Sequence, residues 1–255
     1  MLLAIDVGNT NTVFALYRGE EPVGQWRLST NRDRTAEEYA VALLQLMRLK
    51  GYSANDVEAV VISSVVPQTV IGLRWMSRDF FGCRAFVVGE DLDYPIKINL
   101  NNPREVGADR VVNALAARKR YQPPLIVVDF GTATTFDVVD FDGAYVGGII
   151  APGVNLSLKA LHDAAAALPF IDITRPEQVV GTNTVACMQS GIYWGYIGLI
   201  EGLCARIRAE RARPMTVIGT GGLSTLFAQG TDVLQKIDTD LTIHGLVLID
   251  RLNRE

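Results

Sequence analysis

MLLAIDVGNTNTVFALYRG (residues 1–19) and LIVVDFGTATTFDVVDFDG (residues 125–143) are written to one pattern. Each runs from an apolar stretch into an aspartate, places a glycine two positions on, and continues in Thr and Asn. Residues 2–17 and 125–140 align without a gap, setting Leu2 on Leu125, Asp6 on Asp129, Gly8 on Gly131 and Thr12 on Thr135. Each copy reads as strand, tight turn, strand. The aspartate then stands at the tip of the first strand, beside backbone N–H groups that the turn leaves unpaired. Glycine lets that backbone approach a ligand, and Thr and Asn side chains add donors for phosphate oxygens. An aspartate so placed can hold a metal ion directly or through water, since Mg²⁺ takes one or two carboxylates together with phosphate and water oxygens. Asp, Gly, Asn and Thr are also ordinary turn residues, so one copy says little. Two copies in register point to a polyphosphate gripped from both sides.

The repeat is too long for a solenoid and implies two similar domains, 1–117 and 118–255, around a nucleotide cleft. Outward from the quoted stretches, strands and helices alternate, which makes the chain α/β. WRLST (26–30) offers a third strand, 35–50 a helix behind a Thr cap, VEAVVISSVV (57–66) a buried strand, 67–81 a helix and CRAFVVG (83–89) a strand. Asn102, Pro103 and Glu105 carry the signature of a helix start, predicting a helix from there to about Tyr121. The pattern then restarts with strands at 125–130, 134–140 and 145–151, helices near 153–166 and 182–211, a strand at 215–220 and terminal helices.

With 49% apolar and 20% charged residues, the 255-residue chain is globular and can bury a sizeable core. A formal net charge of −4 argues against nucleic acid as a partner. Cys83, Cys187 and Cys204 lie too far apart for a zinc site or a disulfide framework. The apolar N-terminal run breaks at Asp6, and no window is long enough to span a membrane. A soluble, cytoplasmic protein without membrane association is expected.

Neither GxxxxGK[ST] nor a helix-opening GxGxxG occurs, so the phosphate grip is of another kind. A third glycine stretch, VIGTGGLST (217–225), could let a flat adenosine lie against backbone, or be a plain strand-to-helix turn. In VGADRVVNALAARKRY, helical spacing puts Val106, Asp109, Arg110, Asn113 and Ala117 on one face and Ala108, Val111, Val112 and Leu115 largely on another. Asp109 and Arg110 read either as a charged first turn or as a base beside an anion clamp.

Taken together, DVGNTNT (6–12), NPREVGADR (102–110), DFGTATT (129–135), GGIIAPG (147–153), GTNT (181–184) and TGG (220–222) resemble the type III pantothenate kinases, a family within the actin-like, sugar-kinase-like ATPase superfamily. The resemblance implies two ribonuclease-H-like domains, a homodimer, and transfer of the γ-phosphoryl group of ATP to the 4′-hydroxyl of pantothenate at the start of coenzyme A synthesis. It implies that Asp6, Val7, Gly8, Asn9, Thr10, Asn11, Thr12 and Val13 form the first phosphate loop with Mg²⁺-ATP. It also implies that Thr132 touches ATP and that Asp129 holds a monovalent cation, K⁺ or NH₄⁺, which suits a site lacking a P-loop lysine. Gly107, Ala108, Asp109 and Arg110 would bind pantothenate, with Asp109 as proton acceptor, and Thr184 would reach it from the neighbouring subunit. One departure is Leu100, where related enzymes often carry a tyrosine; Tyr94, Asn101 and Asn102 are nearby replacements. His162 and Asp163 could form an acid-base pair, but a lone surface or interface histidine is the reading preferred. Competing readings are a kinase of another hydroxyl compound, such as a sugar, and a regulator that keeps the fold without turnover.

Overall fold

The computed structural model describes residues 1–165 and 167–254. In the first sheet, β1 (Leu2–Val7), β2 (Asn11–Arg18) and β3 (Glu21–Ser29) form an antiparallel meander. Helix α1 (Ala36–Leu49) starts behind Thr35, whose hydroxyl accepts the Glu38 N–H while the Glu38 carboxylate accepts the Thr35 N–H. Then come β4 (Ala59–Ser64), α2 (Pro67–Phe80) and β5 (Ala85–Val87), giving the order β3-β2-β1-β4-β5 with β4 parallel to β1. Leu3, Ile5 and Val7 bury one face against Tyr39, Leu43 and Met47 of α1 and Leu73 and Met76 of α2. Side chains alternate along a strand, so Asp6 belongs to the opposite face, at the end of β1.

Helix α3 (Ala108–Arg120) begins later than expected. Pro103–Glu105 form one 3₁₀ turn, and Val106 is extended before the helix starts. The Asn102 side chain donates to the Glu105 carboxylate at 2.6 Å instead of capping a backbone N–H. Nor does α3 show one polar face: Asn113 and Ala117 are as buried as Val111 and Val112.

The second sheet contains β6 (Leu125–Phe130), β7 (Ala133–Val139) and β8 (Tyr145–Pro152), followed by α4 (Val154–Ala164) and α5 (Thr184–Arg211). It closes with β9 (Thr216–Gly221), α6 (Ser224–Ala228) and the short β10 (Lys236–Ile237), which the sequence did not announce. Its order, β8-β7-β6-β9-β10, repeats the third-second-first-fourth-fifth arrangement of the first. Ile126, Val128, Phe136 and Val138 pack against Leu158 of α4, Tyr193, Ile197 and Ile200 of α5, and Phe227 of α6. Phe130 stacks on Phe227 with ring centroids 5.2 Å apart.

Pairing register corrects the ungapped repeat. Asp6 faces Val13 across β1 and β2, whereas Asp129 faces Thr135 across β6 and β7. The second turn is one residue shorter, so the structural counterpart of Thr12 is Thr134, and both are fully buried.

The chain divides into two compact units. One holds Met1–Lys97, Asn101–Ala116 and the stretch from Leu241; the other holds Ile98–Leu100 and Ala117–Asp240. Helix α7 (Leu241–Leu252) therefore joins the first unit, where a single boundary near residue 118 would assign it to the second. It packs on β1 and β4. The close approach is made possible by Gly245, where a Cβ would stand 2.5 Å from both Cγ1 and the carbonyl oxygen of Val112. Beside it the Thr242 hydroxyl donates to Asn113 Oδ1 at 2.7 Å.

Candidate active site

The turn after β1 is closed by the Gly8 N–H donating to the Asn11 carbonyl at 3.0 Å. Parallel pairing puts Ser63 beside Asp6 and Ser64 beside Val7, and the Val65 N–H extends the ladder to the Val7 carbonyl. Ser63 is fully buried, and its hydroxyl has no protein partner in the structure. No pattern in the sequence marked it, because VISSVV reads as an ordinary buried strand.

The GADR stretch reaches this same end of the first sheet. A Cβ on Gly107 would lie 3.8 Å from Val65 Cγ1 and only 2.6 Å from Asp109 Oδ1. Glycine leaves room there for the Asp109 carboxylate, which folds back over it. Oδ1 also accepts the Arg110 N–H at 2.8 Å, which fixes the carboxylate's direction. Burial pushes the Asp109 carboxyl above its usual range, opposed by the Arg110 N–H and guanidinium charge. Tyr94, half-buried with a pKa raised by burial and by the Asp109 charge, lies in the same neighbourhood. Its hydroxyl rests over Gly89, where a Cβ would be 2.7 Å from Oη. Leu100, in contrast, belongs to the second unit, beside Gly147.

In the second unit the structure joins two of the motifs. Asp129 pairs with Thr220 and Phe130 with Gly221, so TGG flanks the second loop. Gly221, at φ +84°, leaves room for Asp129: a Cβ there would sit 2.6 Å from Oδ1. The Ser224 hydroxyl donates to the Gly221 carbonyl at 2.8 Å, and a Cβ on Gly222 would meet open space. Thr132 lies in the turn, its carbonyl accepting the Gly153 N–H at 3.1 Å. Thr184 is exposed at the first turn of α5, next to the Asn183 cap.

Other sequence candidates have structural roles. His162 Nδ1 hydrogen-bonds the Leu168 carbonyl at 2.7 Å, while Asp163 pairs with Lys159. The three cysteines are free, and burial pushes the Cys204 thiol up to about 12.

The model of the type III pantothenate kinase family matches residues 2–206. The chain belongs to that family. A type III pantothenate kinase of Rhodospirillum rubrum is 59% identical over 255 residues, covering 100% of this chain and 99% of that protein. One from Paramagnetospirillum magneticum is 56% identical over 254 residues, covering 99% and 98%. Among solved structures, an activator of 2-hydroxyisocaproyl-CoA dehydratase from Clostridium difficile, with bound ADPNP, shares the fold at TM-score 0.57 and 10% identity, covering 99% of this chain and 93% of that one. The ethanolamine utilization protein EutJ from Carboxydothermus hydrogenoformans does so at TM-score 0.54 and 16% identity, covering 97% and 89%. The two mixed five-stranded sheets thus share the fold of both structures. Among the described residues, no helix is long and apolar enough to cross a membrane.

Proposed function

We propose that this chain transfers the γ-phosphoryl group of ATP to the 4′-hydroxyl of pantothenate, with Asp109 as proton acceptor. The observation that carries the assignment is the Asp109 carboxylate, fixed over Gly107 at the same end of the first sheet as the Asp6 loop. Phosphoryl transfer runs through a largely loose transition state, so catalysis is mostly positioning and charge stabilisation. Asp109 orients the hydroxyl and takes its proton late, contributing on the order of 10²–10⁴-fold. Arg110, the cation of the GADR stretch, meets the pantothenate carboxylate, and Gly107 and Ala108 line the same approach. Residues Asp6–Val13 and Thr132 meet the phosphates.

The donor chemistry suits the ions such a reaction uses. Asp6 offers one carboxylate, and Mg²⁺ completes its shell with phosphate and water oxygens. Asp129, in the space left by Gly221, offers an oxygen donor to a monovalent cation. Both ions supply positive charge against the triphosphate when bound. The chain acts as a homodimer through its second unit, with Thr184 contributed to the partner's pantothenate. In support, Phe170, Val179 and Val180 are 69%, 63% and 78% exposed, and Gly191, Gly195 and Gly198 line one open face of α5.

The test is ADP release from Mg²⁺-ATP with and without pantothenate, in K⁺ and again in Na⁺. Turnover that requires both pantothenate and K⁺ is expected. ADP release that ignores pantothenate in K⁺ would overturn the substrate assignment.

A further inference from the structure

The first phosphate loop is held by a residue outside it. Thr30 follows β3 directly, and both of its polar groups reach back to the turn after β1. Its hydroxyl donates to the Gly8 carbonyl at 2.7 Å, and its N–H donates to the Thr10 carbonyl at 2.9 Å. A hydroxyl carries one hydrogen. With that hydrogen committed to Gly8, the 3.0 Å contact between Thr30 Oγ1 and Thr12 Oγ1 has Thr12 as donor. Thr12 is thereby locked in one rotamer, fully buried beside the equally buried Tyr39. The Arg34 guanidinium covers the Tyr39 ring at 5.2 Å. Beyond Thr30 the chain turns, with the Asp33 N–H donating to Asn31 Oδ1 at 3.0 Å, before the Thr35 cap starts α1.

A turn presents N–H groups to an anion only when its carbonyls point elsewhere and are paired there. The second loop repeats the backbone half of this arrangement. Gly153 follows β8 as Thr30 follows β3, and its N–H takes the Thr132 carbonyl at 3.1 Å. The contact is so close that a Cβ on Gly153 would fall on the Thr132 carbonyl oxygen, 2.1 Å away. There a glycine stands where the first loop has Thr30: a Cβ on it would also lie 2.7 Å from the Gly131 carbonyl, the counterpart of Gly8, so only the first loop has room for a hydroxyl on that carbonyl.

We propose that Thr30 is a positioning residue for ATP: it ties back the Gly8 and Thr10 carbonyls and so sets the first loop to receive phosphate. The inference rests on the kinase reading above. Thr30→Val keeps the N–H and the shape but removes the hydroxyl, orphaning the Gly8 carbonyl and unlocking Thr12. Dissociation constants for Mg²⁺-ATP, measured by titration without pantothenate, should rise about tenfold in Thr30→Val and in Thr30→Ala, and return to within about threefold of the native value in Thr30→Ser. The KM for pantothenate at saturating ATP should stay within about twofold. Native-like ATP affinity in both apolar variants, or equal loss of ATP and pantothenate affinity with a lowered Tm that Ser does not restore, would overturn the proposal. Because the titration omits pantothenate, failure of the native chain to phosphorylate pantothenate would count against the kinase reading alone.

Discussion

Replacing Gly107 by alanine separates the placing of Asp109 from the stability of the fold. The added Cβ would stand 2.6 Å from Asp109 Oδ1, whereas ordinary contact begins near 3.4 Å, so the carboxylate must retreat by about 0.8 Å. What retreats is the end of a side chain, and the backbone at Gly107 is not in the left-handed region. Folding should therefore suffer little, and the smaller entropy of the unfolded chain stabilises by about 0.4–1 kcal/mol where alanine fits. Catalysis has no such slack, since misplacing a reacting group by about 1 Å can cost about 10²-fold. Steady-state kinetics at saturating pantothenate should show kcat down by roughly 10- to 100-fold, with KM for ATP within about twofold. Thermal unfolding should give a Tm equal to or slightly above the native one. A native kcat with that Tm would refute the reasoning, because it would show that the carboxylate does its work from a place Gly107 does not set.

Asp109→Asn should slow pantothenate phosphorylation by about 10²–10⁴-fold while leaving ATP binding intact, and it should also stabilise the protein. Burial raises the Asp109 pKa, so between the usual carboxylate value and the raised one the folded state holds more protons than the unfolded chain. Stability is lost as pH rises through that window, and Asn escapes the loss. Melting curves should show the variant above the native Tm at pH 7.5, with the gap closing toward pH 4. Asp129→Ala should abolish the difference between K⁺ and Na⁺ in the ADP-release assay. Gly245→Ala forces a methyl group into the Val112 backbone at 2.5 Å and should destabilise by about 1–3 kcal/mol, read as a lower midpoint in urea.

The alternation of strand and helix was plain in the sequence because strands such as LIVVDF and AVVISS open with apolar runs buried on both faces. The Asp-Gly turns were plain too, since glycine and aspartate state the turn they need. One residue of turn length was not. Alignment of letters put Thr12 on Thr135, and only hydrogen-bond register shows that Thr134 takes its place. The helix start was misplaced because Asn102-Pro103-Arg104-Glu105 satisfies every local rule for a cap. The helix instead starts at Ala108, with the Arg110 and Val111 N–H groups donating to the Gly107 carbonyl. Thr30 and Ser63 carried no signal, for their significance lies in what stands opposite them on other strands. The destination of α7 was equally illegible, since an apolar helix face does not say which sheet it will cover.

That destination bears on synthesis. The unit that carries Asp6 and Asp109 takes in both β1 and α7, which lie on either side of the second unit in sequence. The second unit, residues 117–240 with the short segment 98–100, is complete in sequence before α7 has been translated. The first must wait for Leu241–Leu252 to cover β1 and β4. A nascent chain stalled just short of α7 would therefore hold the later-made unit finished and the earlier-made one open, and the order of maturation would run opposite to the order of translation.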